Sequence, residues 1–536
     1  MPYALLQAIA ELPEEALRQR LGTLQTAEFV YEKSLFPDLE YTFKHALTHE
    51  VAYGSVLQER RKALHAQIMA SIERHYHDRL AEQIERLAHH ALRGEVWDKS
   101  LSYFRQSGEK AIGRSADREA WSHLEQAIAV LPHLPQNRAT LEQAVDLRMA
   151  ARMCLVSLGE VAHGLELLRE AEPLAKALDD PRREVLIHCS VSVSLSNLGR
   201  NAEAIEHGER ALAIAEAVQE PTLRIAARYY LGFSHSFLGA YRTAIGFFQR
   251  DVGLAPEEIP ARLIEPWGAG VFEEALTRLS YSQSQTVAAY CFAELGEFDQ
   301  AMLHAERAVK FTQTLDLLYL RALAEASLGS VYLWKGDLQK ALHLAQRWLQ
   351  TYAAADLPMA QVVMAATLGE AFNLSRQLDD AVTLFHRAWQ LAESKSLLAY
   401  GQPVLALLGD AYGRAERIDE AMTTVQRALD LARELGERGQ EARTLYLLGN
   451  IYGYGASANA NQDRESYQQA LVLAHELGMR PLEAQCHFAL GELARKACEK
   501  RGAHEQFSAA LSMFREMGMT YWLEKTESAL KELTAQ

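Results

Sequence analysis

The chain has 536 residues, with 55 Lys and Arg against 70 Asp and Glu for a net charge of −15, and 49% of it is apolar. Such an acidic chain has no global basic surface for nucleic acid or anionic lipid, and the apolar share with only 14 prolines excludes disordered and collagen-like classes. Five cysteines (Cys154, Cys189, Cys291, Cys486 and Cys498), never spaced as CxxC, support neither a disulfide framework nor a zinc knuckle. No apolar run approaches the roughly 18 residues of a membrane span, and the start MPYALLQAIAELPEE lacks a basic signal region. A cytoplasmic location with no membrane partner is expected.

In chain order, residues 1–75 are expected to form a small module. PEEALRQRLGTLQTAEFV reads as a helix opened by Pro13 with acids in its first turn. FVYEKSLFPDLEYTF alternates like a hairpin around Pro37-Asp38, and KHALTHEVAYGSVLQERRKALHAQI reads as one long helix. Helix, two-stranded wing and helix outline a partial winged-helix (α+β) module. Its first helix is short and begins at residue 3. The basic run Arg60-Arg61-Lys62 raises a DNA-binding transcriptional regulator as an alternative function, which the acidic surroundings oppose, so nucleic acid is not the expected partner. Helices near 80–93, 95–113 and 116–131 then open a region of helical repeats over 76–250.

A small residue opening an Ala-rich helix recurs at Gly164, Ala204, Ala244, Ala301, Ala341, Ala381, Ala421, Asp463 and Ala503. The separations are 40, 40, 57, 40, 40, 40, 42 and 40. Twelve residues before several anchors stands a glycine in an L-G-x-x-aromatic string: Leu328-Gly329 with Tyr332, Leu368-Gly369 with Phe372, Leu408-Gly409 with Tyr412, and Leu448-Gly449 with Tyr452. Small or aromatic residues follow the anchor at +4 and +7, as in Ala381/Phe385/Ala388 and Ala503/Phe507/Ala510, on one helical face. Glycine and anchor have no bulk, so two antiparallel helices approach closely with an aromatic filling the gap.

This order resembles the tetratricopeptide repeat, L-G-x-x-Y…A-x-x-x-F. At 40 residues against the usual 34, both helices are a few residues longer. The resemblance implies an all-α, right-handed superhelical solenoid of about 40-residue helical hairpins, in which each repeat packs only on its neighbours. Residues 251–277 form an irregular insertion holding Pro256, Pro260, Pro266 and Trp267, expected to break the superhelix and pack Trp267 and Phe272 on its neighbours, with a binding loop as the alternative. Residues 278–536 are the C-terminal repeats with a closing helix. The Gly/Ala/Asn-rich stretch from Tyr452 to Asp463 explains the spacing of 42.

A second likeness is more specific. YTFKHALTHEVAYGSVLQERRKALH (Tyr41 to His65), followed by RLAEQIERLAHHALRGEVWDKSLSYFRQSGEKA, closely resembles the segment that links ATPase to repeats in bacterial STAND-type signalling ATPases, often preceded by a class III adenylate/guanylate cyclase domain. The likeness runs over nearly the whole chain, insertion and closing MGMTYWLEKTESALKEL included. It implies a regulatory C-terminal region whose upstream ATPase and cyclase domains would be its partners, or, as an alternative, a fragment of such a multidomain cyclase enzyme.

No motif carries catalysis. Gly108-Glu-Lys-Ala-Ile-Gly113-Arg114-Ser115 nearly spells GxxxxGK[ST], but the preceding SLSYFRQS reads as helix, Arg114 replaces the lysine, and Gly108 fits the repeat position twelve before Ala120. His45 and His49 have metal-ligand spacing without a third ligand, and His75, His77, His89 and His90 read as surface or packing histidines. No catalytic residue, cofactor or metal is expected. In a tetratricopeptide superhelix the first helix of each pair lines the concave face. The 3.6-residue period places Ser330, Trp334, Glu370, Asn373, Asp410, Arg414, Tyr446, Asn450, Glu492 and Arg495 there. The expected function is a non-enzymatic interaction or sensor scaffold that binds a protein or peptide in this groove. The surface permits homo-oligomers without requiring them.

Overall fold

The computed structural model describes residues 1–10, 12–34, 39–249, 269–315, 317–352, 355–454 and 461–535. It divides into two compact units, Met1–Ala151 and Arg152–Gln536. The first holds α1 (Tyr3–Ile9), α2 (Glu14–Thr26), β1 (Val30–Ser34), β2 (Glu40–Phe43), α3 (Ala46–Ser55), α4 (Gln58–His75), α5 (Leu80–Arg93), α6 (Trp97–Ile112) and α7 (Asp117–Val130). Pro13 caps α2, whose first turn carries Glu14 and Glu15. The two strands pair antiparallel with Val30 opposite Phe43, so the hairpin forms as expected; its tip at Pro37-Asp38 lies outside the described residues.

The long helix expected after the hairpin is two helices. Val56 is extended at ψ 130° between α3 and α4. Gly54 weakens the helix there, and the Ser55 hydroxyl donates to the Ala52 carbonyl at 2.7 Å, a local bond that competes with the helical ladder. Leu5, Ile68, Met69, Ile72, Leu87 and Ala91 then join α1, α4 and α5 in one core. The string that resembles a phosphate loop lies on α6 and the turn after it. A Cβ on Gly108 would stand 2.9 Å from Leu124 Cδ2, so this glycine marks the crossing of α6 and α7.

The second unit is a series of helical hairpins. After α8 (Arg138–Ser157) come α9 (Val161–Leu178), α10 (Pro181–Asn197), α11 (Asn201–Ala217), α12 (Pro221–Phe237), α13 (Tyr241–Gln249), α14 (Ala269–Glu294), α15 (Phe298–Thr312), α16 (Leu318–Lys335) and α17 (Leu338–Tyr352). There follow α18 (Pro358–Leu374), α19 (Leu378–Ser394), α20 (Leu398–Arg414), α21 (Ile418–Glu434), α22 (Arg438–Tyr454), α23 (Gln462–Leu477), α24 (Arg480–Lys496), α25 (Lys500–Met517) and the closing α26 (Thr520–Ala535). The insertion at 251–268 with Trp267, the side chain of Phe272, and residues 455–460 lie outside the described residues.

All nine anchors fall on the odd-numbered helices α9 to α25, and all except Asp463 are the fourth residue of their helix. The reason is steric. A Cβ on Gly369 would lie 2.3 Å from the Phe385 ring, on Gly449 2.6 Å from Tyr467, and on Gly491 2.7 Å from Phe507. The residue four after the anchor therefore occupies the space the glycine leaves, and the anchor alanines are buried beside it. The aromatic of the Leu-Gly string turns elsewhere: Tyr412 lies under the Arg417 guanidinium, 4.3 Å from the ring centroid.

The expectation that each repeat packs only on its neighbours does not hold. The turn from first to second helix is closed by a left-handed residue, and this is glycine at 159, 199, 239, 296 and 336 but Arg376, Glu416 and Cys498 later. The early glycines face a later stretch of the same solenoid. A Cβ on Gly199 would stand 2.1 Å from Leu435, on Gly296 2.3 Å from Met517, and on Gly336 3.2 Å from the backbone nitrogen of Tyr521. Arg376, Glu416 and Cys498 are exposed, so the same backbone shape tolerates a side chain there. The superhelix is wound tightly enough for its successive turns to touch, and Tyr400 OH donates to Asn197 Oδ1 at 2.9 Å across 203 residues of sequence.

Replacing Gly336 by Ala combines left-handed strain at φ 100° with a tight contact on Tyr521, 3.0 Å from its Cβ and 3.2 Å from its backbone nitrogen, and is expected to cost about 2–4 kcal/mol. Glu416→Gly, also left-handed at φ 61° but exposed, is expected to change stability by no more than about 1 kcal/mol. Urea unfolding followed by circular dichroism checks both; equal losses would remove contact between turns as the reason for glycine.

Candidate functional site

The even-numbered helices face inward, and α12, α14, α16, α18, α20 and α22 enclose a cavity of about 250 Å³. Its walls are largely aromatic and aliphatic, with Phe237, Tyr290, Trp334 and Tyr400 among them. Side chains bridge it from one superhelical turn to the next. The Arg443 guanidinium on α22 donates to Glu294 Oε2 on α14 at 2.5 Å and lies 4.8 Å from the Trp334 ring centroid. Gln440, one turn earlier on α22, donates to Tyr290 OH at 3.2 Å. Burial works most strongly against the Arg443 charge, but Glu294, Tyr290 and Glu370 together outweigh it, so the guanidinium pKa rises.

Two further carboxyl groups border the cavity. Glu437, just before α22, is 1% exposed, and among the described residues neither of its oxygens has a hydrogen-bond partner. Burial alone pushes its carboxyl pKa far above the ordinary value. Glu370 on α18 is raised by burial too, with Arg443 and Trp334 acting against the shift. A buried carboxyl without a partner is costly when charged, so an empty site favours the protonated form of Glu437.

Beyond the cavity the inner face continues as a polar network. Asp410 Oδ2 accepts from Asn373 Nδ2 at 2.9 Å and from Arg414 Nε at 2.6 Å, and Tyr454 OH donates to Oδ1 at 3.3 Å. Burial works most strongly against the Arg414 charge, but Asp410 together with Tyr454 and Tyr446 outweighs it, leaving that pKa raised. Tyr467 OH donates to Asn450 Oδ1 at 2.8 Å, with the Tyr446 ring 5.7 Å away. Near the C-terminal end Glu492 and Arg495 pair at 2.8 Å. Lys525 lies over the rings of Phe488 and Trp522 at 5.0 and 4.9 Å, its pKa lowered by burial and by Arg414.

The ten residues expected on the concave face thus sort into three groups. Ser330, Trp334 and Glu370 line the cavity. Asn373, Asp410 and Arg414 form the adjoining network, with Tyr446 and Asn450 beside it. Glu492 and Arg495 hold each other further along. Sequence reasoning missed Glu294, Glu437, Arg443 and Tyr400, because it took one strip of each helix from the Leu-Gly-aromatic string. Arg443 lies seven residues before Asn450 on that same face of α22, a signal the strip contained.

The other singled-out residues engage in packing. His49 stacks on Tyr53 at 5.9 Å between centroids, and His65 Nδ1 and His90 Nδ1 share a hydrogen bond at 2.8 Å. Arg61 lies over the Tyr53 ring, and Lys62 pairs with Glu95 at 2.9 Å and with Glu59 at 3.2 Å. Among the described residues no helix is long and apolar enough to cross a membrane.

A tetratricopeptide-repeat family model matches residues 403–435, which covers most of α20 and all of α21. Among curated proteins, an uncharacterized protein of Rhizobium meliloti (strain 1021) is 25% identical over 177 residues, 33% of this chain and 16% of that protein. The matching stretch is thus under a fifth of that relative's length. Among solved structures, NprR in complex with its cognate peptide NprX aligns at 14% identity and TM-score 0.45 over 70% of this chain and 99% of its own. The Rap conjugation gene regulator of plasmid pLS20 in complex with the Phr* peptide gives 14% and 0.45 over 70% and 96%. Aspartyl phosphate phosphatase F from Bacillus subtilis gives 13% and 0.39 over 72% and 96%. With every score under 0.5, the site's chemistry has to be read from this chain's own residues.

Above the unfolded-state value of 4.5 the folded chain keeps a proton on Glu437 that the unfolded chain has released, so this group removes stability as pH rises. Glu437→Gln is expected to raise the melting temperature relative to the parent by an amount that grows between pH 5 and pH 8. A gap independent of pH would mean that the Glu437 carboxyl titrates normally.

Proposed function

We propose that the chain is a non-enzymatic interaction and sensor scaffold, the regulatory repeat region of a STAND-type signalling ATPase of the kind often joined to an adenylate or guanylate cyclase. In this reading a protein or peptide partner is recognised on the inner face of the second unit, along the path from Ser330 and Trp334 through Glu370, Asn373, Asp410, Arg414, Tyr446 and Asn450 to Glu492 and Arg495. The observation that carries it is the continuity of that path, where amides, both charges and aromatic rings from successive inner helices stand side by side. Such mixed chemistry suits a recognition surface, with aromatic and Arg side chains as its energetic anchors. Residues Tyr41 to His65 and the segment after them support the ATPase context through the likeness described above.

Exchanging the charges at the half-buried C-terminal end of the path tests the partner surface. The double variant Glu492→Arg, Arg495→Glu keeps the internal pair, gives up only the Arg495 contact to the exposed Glu532 at 3.7 Å, and is expected to retain helicity and to keep the melting temperature within a few degrees while losing a partner that wild type captures from the source cells. Equal capture by both would sink the surface assignment. Separately, the gene upstream of Met1 is expected to encode, in frame, a nucleotide-binding domain with a Walker lysine. ATP hydrolysis or cyclic nucleotide synthesis above background by this chain alone would contradict the non-enzymatic reading.

A further inference from the structure

The cavity at the axis of the second unit holds groups that the scaffold reading does not use. Its volume of about 250 Å³ and its largely apolar walls with a few polar groups suit a small organic molecule. Its titratable lining, tyrosines apart, is Glu294, Glu370 and Glu437 against the one guanidinium of Arg443. That guanidinium is already bound by Glu294. Glu437 is buried, lines the cavity and has no hydrogen-bond partner on either oxygen among the described residues. The same cavity is lined by electron-rich rings, among them Phe237 and Tyr400, and Tyr400 is near enough to Glu437 to feel its charge.

We propose that this cavity is a binding site for a small organic cation, an amine or guanidinium compound with an apolar body, whose positive group is held by the Glu437 carboxylate. Three features select that chemistry. An anion would meet an excess of carboxyl groups with the lone guanidinium occupied. A neutral apolar molecule would fill the aromatic walls but leave Glu437 without a partner. A cation satisfies Glu437 and gains from the ring faces, which attract positive charge when water is excluded. The raised pKa of Glu437 adds a signature: the carboxyl that is protonated in the empty site gives up its proton when a cation arrives, so binding releases a proton to the solvent.

The site does not depend on the scaffold reading, since partner capture tests Glu492 and Arg495 and the cavity is tested by itself. Isothermal titration of the full chain with phenethylamine, tryptamine and agmatine, against 2-phenylethanol and phenylacetate, is the experiment. At least one cation is expected to bind, with 2-phenylethanol tenfold or more weaker and phenylacetate giving no heat. Repeating the titration in buffers of different ionisation enthalpy is expected to show release of about one proton. Glu437→Gln is expected to weaken the cation tenfold or more and abolish the proton release, while Glu416→Gln, an exposed acid elsewhere on the solenoid, leaves both unchanged. No heat from any of the three cations, equal binding of phenethylamine and 2-phenylethanol, or unchanged binding by Glu437→Gln would each overturn the proposal. Tighter binding of a capped Ala-Lys-Ala peptide than of the free amines would place the cation on a partner chain and overturn the small-molecule assignment.

Discussion

The structure of the second unit depends on the contact between glycine turns and the bulky residues that pass them one superhelical turn later. Gly199 meets Leu435, Gly239 meets Leu477, and Gly296 meets Met517, while Gly478 in turn meets Leu295. Each is a protruding side chain set over a residue that has none. A solenoid whose repeats touch only their neighbours is quasi-one-dimensional, and its stability is close to a sum of local terms. Contacts between turns break that picture, because they join segments that lie far apart in sequence and form only when the curvature of every intervening repeat is right. Curvature, which neighbour contacts leave soft, becomes fixed.

The cavity and its electrostatics follow from this closure. Bringing α14 opposite α22 places the Glu294 carboxylate against the Arg443 guanidinium in a site where Glu294 is almost fully buried. Breaking a buried ion pair by removing one partner costs far more than an exposed pair is worth. The same enclosure buries Glu437 without a hydrogen-bond partner among the described residues. In an open solenoid both groups would be solvated and unremarkable in energy. The tight winding therefore creates a place where a carboxyl is held in its protonated form and a guanidinium is held charged, within one aromatic-walled space.

The repeat itself was fully legible in the sequence, since Gly-to-anchor spacing and the residue four later are local, and each reports a contact inside one hairpin. Gly369 and Phe385 show why: the pair lies within a single pair of helices, so a 40-residue period suffices to find it. The winding was not legible, because a left-handed turn asks for glycine on its own account, and nothing in Leu198-Gly199 says that Leu435 also requires it. The contrast with Arg376 and Glu416 in the same conformation is the trace of the second demand, and it can be read only once the turns are aligned. Among the site residues, Trp334 and Glu370 were found because they follow the Leu-Gly string, whereas Glu437 precedes its helix and falls outside any helical strip. The break between α3 and α4 was missed for a different reason: apolar periodicity continues through Gly54-Ser55, and only the hydroxyl's local bond interrupts the backbone.

Closure and cavity chemistry are coupled by construction. Arg443 and Gln440 reach from α22 to Glu294 and Tyr290 on α14, and Tyr400 on α20 reaches Asn197 on α10, so the cavity's walls belong to two successive turns of the superhelix. Anything bound between those walls contacts the tightly wound form and loses contacts when the turns part. By mass action it stabilises the wound form by RT ln(1 + c/Kd) at free concentration c, and it shifts curvature only to the extent that it binds that form better. Small rotations per repeat add along the solenoid, so a change of winding at the axis is carried through the turn contacts to the C-terminal helices, where Gly296 meets Met517 and Gly336 meets Tyr521. A group bound at the axis would share one conformational variable with any surface on those helices, which is the physical requirement for one to sense the other.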